Sequence, residues 1–261
     1  MMRAFIDTHC HFDFPPFTGH EAESLRLAAE AGVNQLILPA VEAGRFNHVL
    51  QLAETHPPIF AALGLHPICI ATHSEACLDQ LAESLAQRHP KLVAIGETGL
   101  DLYMETPMFD KQQRLLREQF KLARQHNLPM ILHSRRSHDP LAAMLRKASL
   151  PATGVVHGFA GSLSQAQAFV RLGFAIGVGG TITYERAQKT RQVMAQLPLS
   201  SLLLETDAPD MPLQGFQGQP NRPERAARVF EVLCELRSEP AEQLAQALLE
   251  NTRRVFNIPH A

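Results

Sequence analysis

One pattern constrains this chain more than any other: a short apolar run, a breaker, then an amphipathic stretch, repeated about eight times. The apolar runs cover residues 4–11, 35–40, 59–65, 92–97, 129–133, 154–157, 174–178 and 201–207. Helical stretches follow at residues 21–31, 45–54, 76–88, 110–126, 140–147, 164–172 and 185–197, and two more close the chain at 224–236 and 241–255. In the longest, Leu115, Leu116, Phe120 and Ala123 share one stripe, the mark of a helix with one face buried. Short runs that are apolar throughout belong to strands covered on both faces, and their alternation with helices marks parallel βα units. Eight such units without a linker-like break predict an α/β fold, a single (β/α)8 barrel over residues 1–261, rather than a doubly wound sheet.

The second pattern is where the polar residues fall. The first run ends in His9-Cys10-His11, and alternation along an extended chain puts the two imidazoles on one side and Cys10 on the other, toward the helices. Run three ends at His66, run four at Glu97, run five at His133, run six at His157 and run eight at Asp207. A lone histidine at such a place is more often a hydrogen-bonded core-edge residue than a ligand. Scattered core histidines, however, have no reason to gather at one end of a barrel. That end is where barrel enzymes carry their active sites, so a metal site at the C-terminal mouth is expected.

His9, His11, Glu97, His133, His157 and Asp207 suit two divalent ions, with Glu97, central in the strand order, as the bridge. Two ions about 3.5–4 Å apart lower the pKa of a shared water and clamp substrate oxygens. A nitrogen and oxygen donor set without thiolate suits Zn, Mn or Mg and does not choose among them. Asp207 is the expected proton acceptor, with a helix N-cap as its competing role. Glu205 lies one layer deeper on the same face and is expected to position a neighbour. Asp101 either orients a ligand or is a turn residue; both readings stand here. Arg135 and Arg136 follow His133 at the rim, and Arg222, Arg225 and Arg228 follow the eighth run; either set can hold phosphate oxygens, Arg135 being nearest the metals.

With 45% hydrophobic and 19% charged residues the composition is that of an ordinary globular enzyme. A net charge of -2 excludes a whole-protein basic field, so a polyanion would have to be held locally. The four cysteines form no Cys-x-x-Cys pair, and no stretch is long and apolar enough to span a membrane or serve as a secretory signal. A reduced, cytoplasmic location is expected; the oligomeric state is not legible.

The motifs Asp7-Thr8-His9-Cys10-His11, Gly64-Leu65-His66-Pro67, Gly96-Glu97-Thr98-Gly99-Leu100-Asp101, His133-Ser134-Arg135, His157-Gly158-Phe159 and Glu205-Thr206-Asp207-Ala208-Pro209 occur in this order. Together they resemble the TatD family of metal-dependent deoxyribonucleases, among the amidohydrolase-like barrels, over essentially the whole chain. The resemblance implies the same six ligands, with His66 near the substrate, and hydrolysis of DNA phosphodiesters from a 3′ end. The chain departs from the family where Gly158 stands for a frequent Cys, Thr98 for Ile and Arg136 for an acidic residue. The family's Arg-Asn-Glu-Pro loop is here Pro220-Asn221-Arg222-Pro223. The expected function is therefore a metal-dependent hydrolase with DNA or another phosphodiester as partner. Two alternatives stand: hydrolysis of another bond (an amide, or an ester such as aminoacyl-tRNA), and a non-enzymatic metal-binding partner protein.

Overall fold

The structure, a computed structural model, describes residues 2–260. Eight parallel strands lie side by side in chain order: β1 (Phe5–Asp7), β2 (Val33–Pro39), β3 (Ile59–Leu63), β4 (Leu92–Asp101), β5 (Met130–Arg135), β6 (Gly154–Val156), β7 (Ala175–Val178) and β8 (Leu202–Leu204). A helix follows each: α1 (Glu21–Glu30), α2 (Phe46–Thr55), α3 (Glu75–Ala86), α4 (Phe109–His126), α5 (His138–Ala148), α6 (Leu163–Arg171), α7 (Gln188–Gln196) and α8 (Ala226–Leu236), with α9 (Ala241–Phe256) added at the end. The expected α/β alternation is present as a nearly closed parallel eight-stranded barrel. The first residues foreseen for α2 (Arg45) and α8 (Glu224 and Arg225) belong instead to separate 3-10 turns, Ala43–Arg45 and Pro223–Arg225, a tightening common at helix starts. Helix α7 begins three residues later than expected, after the 3-10 turn Gly180–Thr183.

Closure at the β1–β8 seam is short of ladder bonds, because each of these strands is three residues long. Side chains supply the rest. The Leu204 carbonyl accepts both the backbone N–H (3.0 Å) and the hydroxyl (2.9 Å) of Thr8. Asp7, fully buried, accepts the backbone N–H of Thr206 at 2.9 Å on Oδ1, the Thr206 hydroxyl on Oδ2 and the His9 N–H at 3.2 Å on Oδ1. Beyond this latch the Asp207 N–H donates to the His9 carbonyl and the His11 N–H to that of Ala208, both at 2.8 Å.

Two apolar layers separate inside from outside. Between strands and helices lies the larger one, which includes Leu36, Leu38, Met130, Leu132, Leu202 and Leu204. Cys10, fully buried, belongs to it, as its alternation with His9 and His11 predicts. The inner layer holds Ile37, Phe60, Ile131, Val155 and Leu203, with Phe256 and Ile258 below. The loop at residues 12–19 is irregular as expected, yet Phe12 and Phe17 stack at 4.9 Å between centroids and are fully buried in the outer layer.

Period two then carries the inner face upward. Ile131 leads to His133, Val155 to His157 and Leu203 to Glu205, so one inward face is apolar below and polar above. Glu97 breaks this pattern. It is not a strand end: four more strand residues follow it, and Ile95 two residues earlier faces outward. An extra residue on β4, between the pairings Ile95 with Met130 and Thr98 with Leu132, resets the alternation and turns Glu97 inward. Gly96 makes the bulge possible at φ +155°, where a Cβ would meet the Ile131 side chain and carbonyl at 2.7 Å.

Asp7→Ala strands three buried donors, each costing about 1–3 kcal/mol, so a loss of at least about 3 kcal/mol is expected. Asp7→Asn keeps one acceptor and loses less. Urea unfolding followed by circular dichroism measures both; parent-like stability of the Ala variant would remove the latch from the account.

Candidate metal centre

Glu97 stands at the centre of the polar mouth, fully buried, and each of its oxygens gathers a different set of side chains. Around Oε2 lie His9 Nε2 at 3.0 Å and His11 Nε2 at 3.2 Å. These two nitrogens are 3.2 Å apart, and Asp207 Oδ1 lies 3.5 Å from the first and 3.4 Å from the second. For a tetrahedral ion with bonds of about 2.0–2.1 Å, neighbouring ligand atoms are about 3.3 Å apart. The three edges joining His9 Nε2, His11 Nε2 and Asp207 Oδ1 fit one face of that polyhedron. Around Oε1 lie His157 Nε2 at 2.6 Å, His66 Nε2 at 3.0 Å and His133 Nδ1 at 3.2 Å.

Hydrogen bonds on the far side of each ring decide which nitrogen carries the proton. His11 Nδ1 faces the Pro39 carbonyl at 3.2 Å and donates to it, leaving the Nε2 lone pair turned inward. His133 Nε2 donates to Asp101 Oδ2 at 2.8 Å, leaving Nδ1 turned toward Glu97. This carboxylate–histidine pairing is the arrangement that orients metal-ligating imidazoles. His66 is the opposite case. Its Nδ1 accepts the Ile68 N–H at 2.9 Å, so its proton sits on Nε2, 3.0 Å from Glu97 Oε1. By position His66 groups with Glu97 and His133, but by proton count it is a donor and not a lone-pair ligand.

The donor set fits cations in a further way. Glu97 Oε1, His9 Nδ1, His157 Nδ1 and Glu205 Oε2 are all buried without a well-aligned hydrogen-bond partner. His9 and His157 stack with ring centroids 3.7 Å apart, and together with Glu205 they form another compact group of possible ligands. Burial, with the neighbouring His157, lowers the His9 pKa to about 4, whereas for His157 burial is outweighed by Glu97, Glu205 and Asp207 acting together, which raise it to about 9. For Glu97 burial is opposed by the charges of His157, His66 and His9, which hold its carboxyl well below the usual range. Burial pushes Glu205 up to about 7. Glu205 accepts the Gly158 N–H, and it fits only because Gly177 has no Cβ, which would stand 2.4 Å from Oε2.

The expected site residues thus meet at one mouth, with four adjustments. Glu97 is mid-strand. Asp207 lies three residues past β8 at φ +61°. Asp101 accepts the His133 Nε2–H with one oxygen and takes the Tyr103 N–H at 2.9 Å with the other. Arg222 pairs with Glu224, Arg225 donates to the Pro220 carbonyl and Arg228 pairs with Glu231, so these three are engaged elsewhere and line no part of the metal cavity. Arg135 and Arg136 do line it; the cavity is about 970 Å³.

Three supporting residues escape a reading of the sequence. Gln112 on α4 accepts the Asp101 N–H at 2.8 Å and donates to the Asp101 and Pro107 carbonyls. Asn221, fully buried, donates to the Thr206 and Met211 carbonyls and fixes the loop that carries Asp207. His73 donates to the His66 carbonyl at 2.7 Å. Asn221 lies in a motif singled out for its departure from the family, which was its one signal; Gln112 and His73 had none.

Comparison with known proteins agrees with this geometry. The family described as TatD related DNase matches residues 6–257. The Escherichia coli (strain K12) metal-dependent hydrolase YjjV is 64% identical over 99% of this chain and 100% of its own. The crystal structure of that TatD homolog superposes with a TM-score of 0.98, again covering 99% and 100% of the two chains. A more distant relative is the 3'-5' ssDNA/RNA exonuclease TatD of Pantoea vagans (strain C9-1), 29% identical over 93% of this chain and 95% of that one. Some 64% identity along the full length, a match to the family over nearly every residue and an intact set of inward donors make this chain a member of the TatD family of metal-dependent hydrolases.

Proposed function

We propose that residues 1–261 act as one (β/α)8-barrel enzyme that hydrolyses phosphodiesters at the ends of DNA strands, in a reducing, cytoplasmic setting. The observation that carries the reading is the division of ligands between the two oxygens of Glu97. His9, His11 and Asp207 would hold one divalent ion, His133 and His157 the other, and Glu97 both. Such ions supply Lewis acidity for the phosphate oxygens and a more acidic water. The activity named for the Pantoea relative supports the choice of bond and of strand ends.

The chain's own residues divide the remaining work. Asp207 is the carboxylate suited to exchange protons with solvent, because its side chain is 20% exposed against 1% for Glu97. Burial would raise its pKa, but the imidazoles of His11, His157 and His9 around it hold it below the usual range, so it starts ionised. It accepts the proton of the attacking water at a carboxylate oxygen as the water oxygen bonds to phosphorus. The bond to the leaving oxygen breaks, and that oxygen takes a proton from solvent. His66 Nε2–H stands beside the bridge, where it can donate to a phosphate oxygen. Arg135 at the rim holds a neighbouring phosphate.

Metal content separates the bridge from its surroundings: Glu97→Ala should lose metal and activity together, while Cys10→Ser, on the other side of the chain, should keep both. Two ions retained without Glu97 would refute bridging. Asp207→Asn should lower kcat by at least ~10²-fold with a smaller change in substrate binding. Arg135→Ala should weaken DNA binding and reduce its salt dependence by about one phosphate. End-labelled single-stranded, duplex and closed circular DNA, offered with Mg, Mn or Zn, tests the substrate. Equal cutting of circles and linear ends would remove the end preference, and acyl or amide hydrolysis without phosphodiester cleavage would move the chemistry to another bond.

A further inference from the structure

Among the described residues five large apolar side chains are well exposed: Met2, Ile68, Tyr103, Met108 and Met211. Four of them sit on the loops that follow β3, β4 and β8, at the metal end. Tyr103 is the aromatic one and keeps 51% of its surface exposed. Two guanidinium groups lie over its ring, that of Arg135 with its carbon 3.8 Å from the centroid and that of Arg136 at 4.5 Å. Arg136 takes a left-handed backbone, φ +52°, at this point. Planar, cationic and part-exposed surface has thereby been assembled where the cavity opens.

This plate is rigidly tied to the metal centre. The Tyr103 N–H donates to Asp101 Oδ1 while Asp101 Oδ2 receives the proton of His133. Asp101 and Arg135 are register partners on β4 and β5, and the Leu102 N–H donates to the Arg135 carbonyl at 2.9 Å. Gln112 grips the same loop at Asp101 and Pro107. One residue therefore connects a metal-facing imidazole to an exposed aromatic ring.

A rim arginine that served charge alone would not need a ring beneath it. Guanidinium groups set against an exposed phenol ring suit a flat, electron-rich group joined to an anion, which describes a nucleobase beside its phosphate. A base within a duplex has both faces covered by its neighbours, so the plate favours an unpaired end. We propose that Tyr103, Arg135 and Arg136 form the subsite for the nucleobase next to the scissile phosphodiester and so select single-stranded termini. This inference rests on the phosphodiesterase reading above.

The test compares an ordinary single-stranded oligonucleotide with one whose terminal nucleotides are abasic. Tyr103→Ala should raise KM for the ordinary strand about tenfold, the scale of one lost base stack. Tyr103→Phe, which keeps the ring, should restore it. The parent should bind the abasic strand about as weakly as Tyr103→Ala binds the ordinary one, and Tyr103→Ala should add no further loss on the abasic strand. Independently of turnover, a terminal 2-aminopurine should be quenched on binding to the parent and not to Tyr103→Ala. Equal losses on the two strands, or hydrolysis without quenching, would overturn the subsite while leaving the enzyme class standing. Quenching without phosphodiester cleavage under any metal would instead overturn the enzyme class.

Discussion

The centre depends on one carboxylate being in the wrong place for its strand. Regular pairing of β4 would turn Glu97 outward into the helix layer with Ile95, where a charge has no partner. The extra residue at Gly96–Glu97 turns it inward, to the five histidines His9, His11, His66, His133 and His157. An unpaired buried carboxylate is costly; one that offers an oxygen to each of two cationic neighbourhoods is compensated twice. Every other contact at the mouth, from the His9–His157 stack to the Asp101 tether, is an arrangement around that inserted charge.

Within that arrangement the histidines are not interchangeable. His11 and His133 are held by a carbonyl and a carboxylate so that a lone pair faces inward, whereas His66 is held by an amide and presents a proton. Three short backbone or carboxylate contacts thus assign chemistry to rings that sequence alone treats alike. The same contacts stiffen the site, since each of these three rings is held at its outer nitrogen.

What the sequence makes legible is periodic. Alternation in twos, read through Ile131 and His133 or Val155 and His157, is enough to bring the polar residues to one mouth, because it depends only on the strand and its nearest neighbours. What it hides depends on pairings far along the chain. The latch between Asp7 and Thr206 joins residues 199 positions apart, and nothing local marks it. Gln112 resembles any polar residue of an amphipathic helix, and the arginines after β8 resemble phosphate ligands until Glu224, Glu231 and the Pro220 carbonyl are seen to engage them. The bulge is hidden for the opposite reason: one glycine in an apolar run has many meanings, and only the register shows which applies.

The seam at β1 and β8 has a consequence for how the protein comes into being. His9 and His11 leave the ribosome first among the donors and Asp207 last, and the latch that aligns them needs Thr206 as well. Until the final quarter of the chain is made, the early histidines have neither their barrel wall nor their shared carboxylate. A nascent chain therefore presents a loose His-x-His pair, and the full set of donors comes together only when β8 and the residues after it shut the barrel. The assembled donor set becomes a signature of completed closure: a truncated or unlatched chain is distinguishable from a finished one by the side chains it fails to bring together.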